Sequence, residues 1–242
     1  LATLSRLGIS YDTFTKESTF VVDGTVAQLM QRLDALEISG TAENGAGYLD
    51  LGQRGLKGKT EFFYRRGDGS SLYATRDVAY HMWKWGESNR LVNVLGEDHK
   101  LQAKQVGLTL EELEQQRPEV LFYSFIKLPE GKMSTRQGNV VFMDDLLEEA
   151  HAQASAVVRE LRPEYDDEKV AAIAEAVGTA AVRFNIIKVS PEKGFTFRWE
   201  EALAFEAGSA PFIMYAHTRA CSIAKRARSH SASNIDCPSA ES

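Results

Sequence analysis

Through the first 145 positions, apolar residues fall into short runs separated by polar, glycine-containing stretches; beyond that they recur at helical spacing. Leu1-Ala2-Thr3-Leu4-Ser5-Arg6-Leu7 reads as the end of an apolar helix, and Ser10 to Ser18 as a polar segment. Phe20-Val21-Val22 is a strand candidate. Asp23 is placed to cap a helix whose apolar positions Val26, Leu29, Met30, Leu33 and Leu36 share one face. Tyr48-Leu49-Asp50-Leu51 and Phe62-Phe63-Tyr64-Arg65-Arg66 read as strands, the second closing on the turn Gly67-Asp68-Gly69-Ser70. A helix is predicted from near Ser71 through His81 towards Trp85.

Leu91-Val92-Asn93-Val94-Leu95 is a continuous apolar run, suited to a strand in a sheet covered on both faces. Gly96-Glu97-Asp98-His99 follows at its carboxyl end, with a helix from about Lys100. Val120-Leu121-Phe122-Tyr123-Ser124-Phe125 repeats the strand signal. Strands alternating with helices predict an α/β doubly wound sheet, in which ligands collect at the carboxyl ends of strands. From Met143 onward helices dominate. One is capped by Asp144-Asp145 and runs to about Leu161, where Arg162-Pro163 ends it. A second carries Val170, Ile173, Ala174 and Val177. A third spans Ala180 to Val189, before Ser190-Pro191, and a last runs from Ala210-Pro211 to about Arg228. Ser229 to Ser242 lacks periodicity and reads as a disordered tail.

The 242 residues are 43% hydrophobic with a net charge of -6, enough for one large domain or two small ones. The acidity argues against non-specific coating of nucleic acid but allows a local basic patch. The two cysteines, Cys221 and Cys237, form no Cys-x-x-Cys pair, and no zinc-ligand spacing is present, so no metal site is expected. A disulfide between the two cysteines is one reading, and free thiols in an intracellular, cytoplasmic protein are the preferred one. No segment reads as long and apolar enough to cross a membrane, so no membrane partner is expected. Without a start methionine or signal-peptide pattern, the first residues read as a cut into a longer chain.

The densest candidate chemistry is Gly131-Lys132-Met133-Ser134-Thr135-Arg136-Gln137-Gly138-Asn139. Glycines let the backbone approach a ligand, Lys132 and Arg136 can place cations on anionic oxygens, and the Ser134 hydroxyl can donate to them. The same composition suits a solvated surface turn. Tyr73 and Asp77 are i and i+4 on a predicted helix, so phenol and carboxylate share a face that can receive a guanidinium; a plain helix-surface pair has the same spacing, and a local bridge from Asp77 to Arg76 or Lys84 is also open. Asp98 and His99, at a strand end, can line a pocket or simply cap the helix that follows. Tyr215 and Arg219, one turn apart, can offer an aromatic platform and a cation to an RNA base and phosphate, or pack as an ordinary helix. Lys225, Arg226 and Arg228 extend that cationic end.

Lys132-Met133-Ser134-Thr135-Arg136 resembles the signature loop of class I aminoacyl-tRNA synthetases in its arginyl-tRNA synthetase form. Thr135 stands where the second signature lysine falls, and Arg136 is the nearest remaining cation. Asp68-Gly69-Ser70-Ser71-Leu72-Tyr73-Ala74-Thr75-Arg76-Asp77 is similar to a run in arginyl-tRNA synthetases whose Tyr and Asp hold the arginine, with Ser70 in place of a Thr. Tyr11 to Ser18 looks like that family's Asp-x-x-x-x-Glu-Ser segment, and Ser209 to Arg219 like the start of its anticodon-binding domain. The resemblance, closest to archaeal or eukaryotic members, extends from Tyr11 to about Arg228.

The resemblance implies an α/β fold: the C-terminal half of a Rossmann-like parallel sheet over residues 1–145, then a helical connector and the start of an all-α anticodon-binding domain over 146–228, and the tail 229–242. It implies ATP-dependent ligation of arginine to tRNA through arginyl-adenylate, with ATP as substrate and Mg2+; the sequence does not fix the oligomeric state, and a monomer is the expectation. Lys132, Ser134 and Arg136 would be catalytic, and Met133, Lys132 and His99 would bind ATP. Tyr73, Asp77 and Asp98 would hold arginine, and Tyr215 and Arg219 tRNA. The family's His-x-Gly-His motif is formed by none of the five histidines, so this chain alone is expected to be inactive. Two alternatives remain: a non-catalytic tRNA-binding module, and a class I synthetase of another amino-acid specificity.

Overall fold

The structure, a computed structural model, describes residues 1–127, 142–204 and 208–233, with 229–233 described by backbone alone. It forms two compact units, one of residues 11–125 and the other of residues 1–10 with 126–242.

The first unit begins with helices α2 (Ser18–Val22) and α3 (Thr25–Asp34), numbered after α1 (Ala2–Arg6) of the other unit. Strands β1 (Ser39–Thr41), β2 (Gly47–Asp50) and β3 (Glu61–Arg65) form an antiparallel sheet in that order. Helix α4 (Tyr73–Glu87), strand β4 (Val92–Gly96), helix α5 (Lys100–Glu112) and strand β5 (Glu119–Tyr123) follow, with β4 and β5 parallel. Val26, Leu29 and Leu33 of α3 are buried, as their spacing predicts. Asp23 Oδ1 accepts from the Thr25 amide at 2.8 Å, but the N-cap of α3 is Gly24, so Asp23 stands one position before the cap expected of it.

Phe20-Val21-Val22 is helical rather than a strand. Local β preference yields to packing here: only Phe20 is buried, against the rings of Tyr80 and Trp83, with centroids 5.9 and 6.0 Å away, while Val22 faces solvent. The double cover expected for the Leu91–Leu95 run is also not seen. Asn93 and Leu95 turn towards a cleft shared with α4 and α5, whereas Val92, Val94, Leu121 and Tyr123 are exposed among the described residues.

The second unit holds α1, β6 (Ile126–Lys127), α6 (Met143–Leu161), α7 (Asp167–Ile187), β7 (Phe195–Thr196), α8 (Trp199–Ala202) and α9 (Ala210–Ser233). The parallel pair β6–β7, with its two-residue strands, is too short for any periodicity to reveal. Arg6 pins α1 to the bundle, its Nε and Nη2 donating to Glu175 at 2.9 and 3.0 Å and its Nη1 to Glu148 at 2.7 Å.

The second and third helices expected in this region are one continuous helix, α7. Gly178 does not break it. Instead it lets α7 lie directly on the α6 backbone beside Ala150. Contrary to the sequence reading, α7 is long and apolar enough by length and composition to cross a membrane, with a mean hydropathy of 1.5. In the fold, its Val170, Ala174, Ala181 and Val182 are buried. Helix α9 runs past Ser229, where a tail was expected, and residues 234–242, with Cys237, lie outside the described residues.

Candidate functional site

The start of α4 is anchored to β3. The Tyr64 carbonyl accepts from the Leu72 amide at 3.1 Å and from Thr75 Oγ1 at 2.6 Å. The hairpin before it turns at Gly69, whose φ of +86° suits glycine; Asp68 Oδ1 accepts there from the Ser70 amide and hydroxyl at 2.9 and 2.6 Å. Arg66 Nη1 donates to the Ser71 carbonyl at 3.1 Å, and Arg76 Nε donates to Ser71 Oγ at 3.2 Å. The Asp-Gly-Ser-Ser-Leu-Tyr run thus builds a rigid entry into the helix.

On that helix Tyr73 is exposed and Asp77 is partly buried one turn further on. Asp77, His99, His81, Asn93, Leu95 and Gln102 line one small cleft of about 30 Å³ between α4, β4 and α5. Among the described ion pairs the carboxylate of Asp77 meets no guanidinium; its partner is His81, whose Nδ1 lies 3.2 Å from Oδ1. Lys84 adds a nearby positive charge. Burial pushes its ammonium below the ordinary lysine range, and Asp77 opposes that shift.

Asp98 and His99 sit in the short helical turn Glu97–His99 at the carboxyl end of β4, leading into α5. Their side chains approach each other at 3.8 Å and remain largely exposed. Gly96 makes room for Asp98 to fold back, since a Cβ there would lie 2.5 Å from Asp98 Oδ1. Asp77 and His99 therefore share the cleft, while Tyr73 and Asp98 are not among its lining residues. Sequence reasoning missed His81, Asn93 and Gln102. The signal for His81 was its i+4 spacing from Asp77 on the same helix face.

In the second unit, Arg219 Nη1 donates to Tyr215 Oη at 3.4 Å, and its guanidinium carbon lies 5.8 Å from the Tyr215 ring centre. Both are exposed on α9. Tyr215 also lines an open cavity of about 590 Å³ with Leu161, Arg162, Tyr165, Ile173 and Phe212. The loop with Lys132, Met133, Ser134 and Arg136 lies outside the described residues. Among the described residues no group of three His, Cys, Asp or Glu comes together in a way that could hold a metal ion.

Three kinds of comparison bear on this geometry. The family described as "tRNA synthetases class I (R), catalytic domain" matches residues 7–199. An arginine–tRNA ligase of Methanocella arvoryzae is 48% identical over 227 residues, covering 93% of this chain and 40% of that protein. An arginine–tRNA ligase of Methanothermobacter thermautotrophicus is 46% identical, covering 93% of this chain and 39% of that protein. The solved arginyl-tRNA synthetase of Thermus thermophilus superposes with a TM-score of 0.79 at 26% identity, covering 93% of this chain and 44% of its own. The chain thus spans about two fifths of the length of the curated relatives it matches.

Proposed function

The chain belongs to the family of class I tRNA synthetases (R), catalytic domain, and on that premise we propose that it contributes to ATP-dependent ligation of arginine to tRNA in a cytoplasmic, monomeric enzyme. The carrying observation is Asp77: a partly buried carboxylate in a cleft between α4, β4 and α5, with no protein guanidinium among its described ion partners.

The substrate guanidinium donates two parallel N–H bonds to Asp77, while Tyr73 offers a ring face or oxygen from the preceding turn. A site built for that cation discriminates strongly, because an uncharged analogue leaves the carboxylate unpaired. His99 and Asp98, at the carboxyl end of β4, flank this site. His99, which lines the cleft, binds ATP, and Asp98 adds a carboxylate for the arginine.

In the first step the arginine carboxylate attacks the α-phosphorus of ATP, the bond to the β-phosphate oxygen breaks, and pyrophosphate leaves. Lys132, Ser134 and Arg136, of the ATP-binding stretch that includes Met133, neutralise charge on the departing phosphates, which is electrostatic rather than covalent catalysis. In the second step a terminal ribose hydroxyl of the tRNA displaces AMP from the adenylate. Tyr215 and Arg219 supply an aromatic platform and a cation for the tRNA. Mg2+ commonly travels with ATP phosphates. The described residues form no cage for it.

Titration of this chain with L-arginine and with citrulline, its uncharged urea analogue, tests the reading. Arginine is expected to bind at least about a hundredfold more tightly. Equal affinities would overturn the guanidinium assignment.

A further inference from the structure

His81 is almost fully buried, with 4% of its surface exposed, and takes no part in the chemistry above. Its two ring nitrogens are both engaged. Nδ1 lies 2.7 Å from the Asp77 carbonyl oxygen and 3.2 Å from the Asp77 carboxylate. Nε2 lies 2.7 Å from the side-chain amide nitrogen of Asn93, whose Oδ1 accepts from Lys84 Nζ at 3.1 Å.

The direction of every bond in this chain follows from its ends. A lysine ammonium can only donate, so it must face the amide oxygen of Asn93. That turns the Asn93 NH2 towards His81 and makes Nε2 an acceptor. The ring proton then sits on Nδ1. At the other end a backbone carbonyl can only accept, which demands a proton on the same nitrogen. The two ends agree, and each alone fixes the tautomer.

We propose that His81 is a positioning residue for arginine recognition: held as the Nδ1–H tautomer by Lys84 and Asn93, it donates to Asp77 and fixes the carboxylate for a substrate guanidinium. The inference rests on the reading of Asp77 as the guanidinium receptor. A carboxylate on a helix surface otherwise exchanges among rotamers, and ordering it on binding costs free energy. Here a buried donor bears that cost before the ligand arrives. The Nδ1–H is bonded to the Asp77 carbonyl at 2.7 Å, which holds the ring with the Asp77 carboxylate 3.2 Å from the same nitrogen.

Calorimetric titration of the 242-residue chain with L-arginine, and separately with ATP, tests this. His81→Ala is expected to weaken arginine about tenfold and to leave ATP within about twofold. His81→Asn places an amide N–H near the Nδ1 position and is expected to recover most of the loss. Asp77→Asn serves as the reference and is expected to weaken arginine more than His81→Ala. If Asp77→Asn weakens arginine while His81→Ala does not, the positioning role is overturned and the Asp77 reading stands. If Ala and Asn at position 81 are equally poor, the ring acts by packing and the proposal fails. If Asp77→Asn binds arginine like the wild type, or the wild type binds none, the Asp77 reading falls and this inference with it. Nitrogen-15 imidazole spectra at about pH 8, above the usual histidine range, give a second readout independent of any ligand. An Nδ1–H signature for His81 is expected, and an Nε2–H signature would overturn the relay.

Discussion

Gly178 rests directly on the backbone at Ala150: a methyl added to it would come within 2.8 Å of both the carbonyl carbon and the carbonyl oxygen. Alanine is the better helix former by about 1 kcal/mol, so propensity alone favours Gly178→Ala. The close approach opposes it, because backbone cannot rotate away as a flexible side chain can. Overpacking of this kind costs about 1–3 kcal/mol. Gly178→Ala is therefore expected to lower the urea midpoint of the chain, and Gly178→Val to lower it further. A higher midpoint for the alanine variant would contradict the packing described for α6 and α7.

Tyr64 Oη donates to Asp34 Oδ1 at 2.6 Å, and Arg65 Nη2 donates to the same oxygen at 3.0 Å. Partial burial works against ionisation of Asp34, but the two hydrogen bonds prevail and hold its pKa below the ordinary carboxylate value. Its contribution to stability is present above about pH 4 and is lost as pH falls through the lower folded value. Burial and the same carboxylate raise the pKa of Tyr64. That contribution is complete below about pH 10 and is lost as pH rises through the raised value. Tyr64→Phe is expected to abolish the alkaline loss and weaken the acid one. Urea midpoints measured across pH check this, and an unchanged alkaline limb would contradict it.

The absence of a His-x-Gly-His motif from these 242 residues leads to a kinetic expectation. The chain alone should give no arginine-dependent exchange of pyrophosphate into ATP. Exchange above the background of a Lys132→Ala variant would contradict this.

Much of the architecture was legible because it is local. The α3 stripe, the Gly67–Ser70 turn and the start of α4 each depend on residues within a few positions of one another. What failed to read depends on distant partners. Phe20 is helical because Tyr80 and Trp83 receive its ring. Gly178 looks like a helix breaker until Ala150 is seen beneath it. In the site, Tyr73 and Asp77 were visible as an i, i+4 pair. Asn93 was not, since nothing in an apolar strand announces that its amide bridges two residues of a neighbouring helix.

Tyr215 and Arg219 pair with each other on the exposed face of α9. If they serve tRNA, Arg219→Ala should weaken binding and reduce the slope of log affinity against log salt by about 1. Tyr215→Ala should weaken binding with little change in slope, since stacking releases no counterion. Filter binding across a salt series separates the two, and unchanged affinity in both variants would remove α9 from the interface.

The central claim, that Asp77 receives the substrate guanidinium, is most directly tested by calorimetry of Asp77→Asn against the wild-type chain. The substitution keeps the shape of the side chain and removes its charge. Arginine affinity is expected to fall about a hundredfold while ATP affinity changes by less than about twofold. An equal loss for both ligands, or none for arginine, would contradict the account.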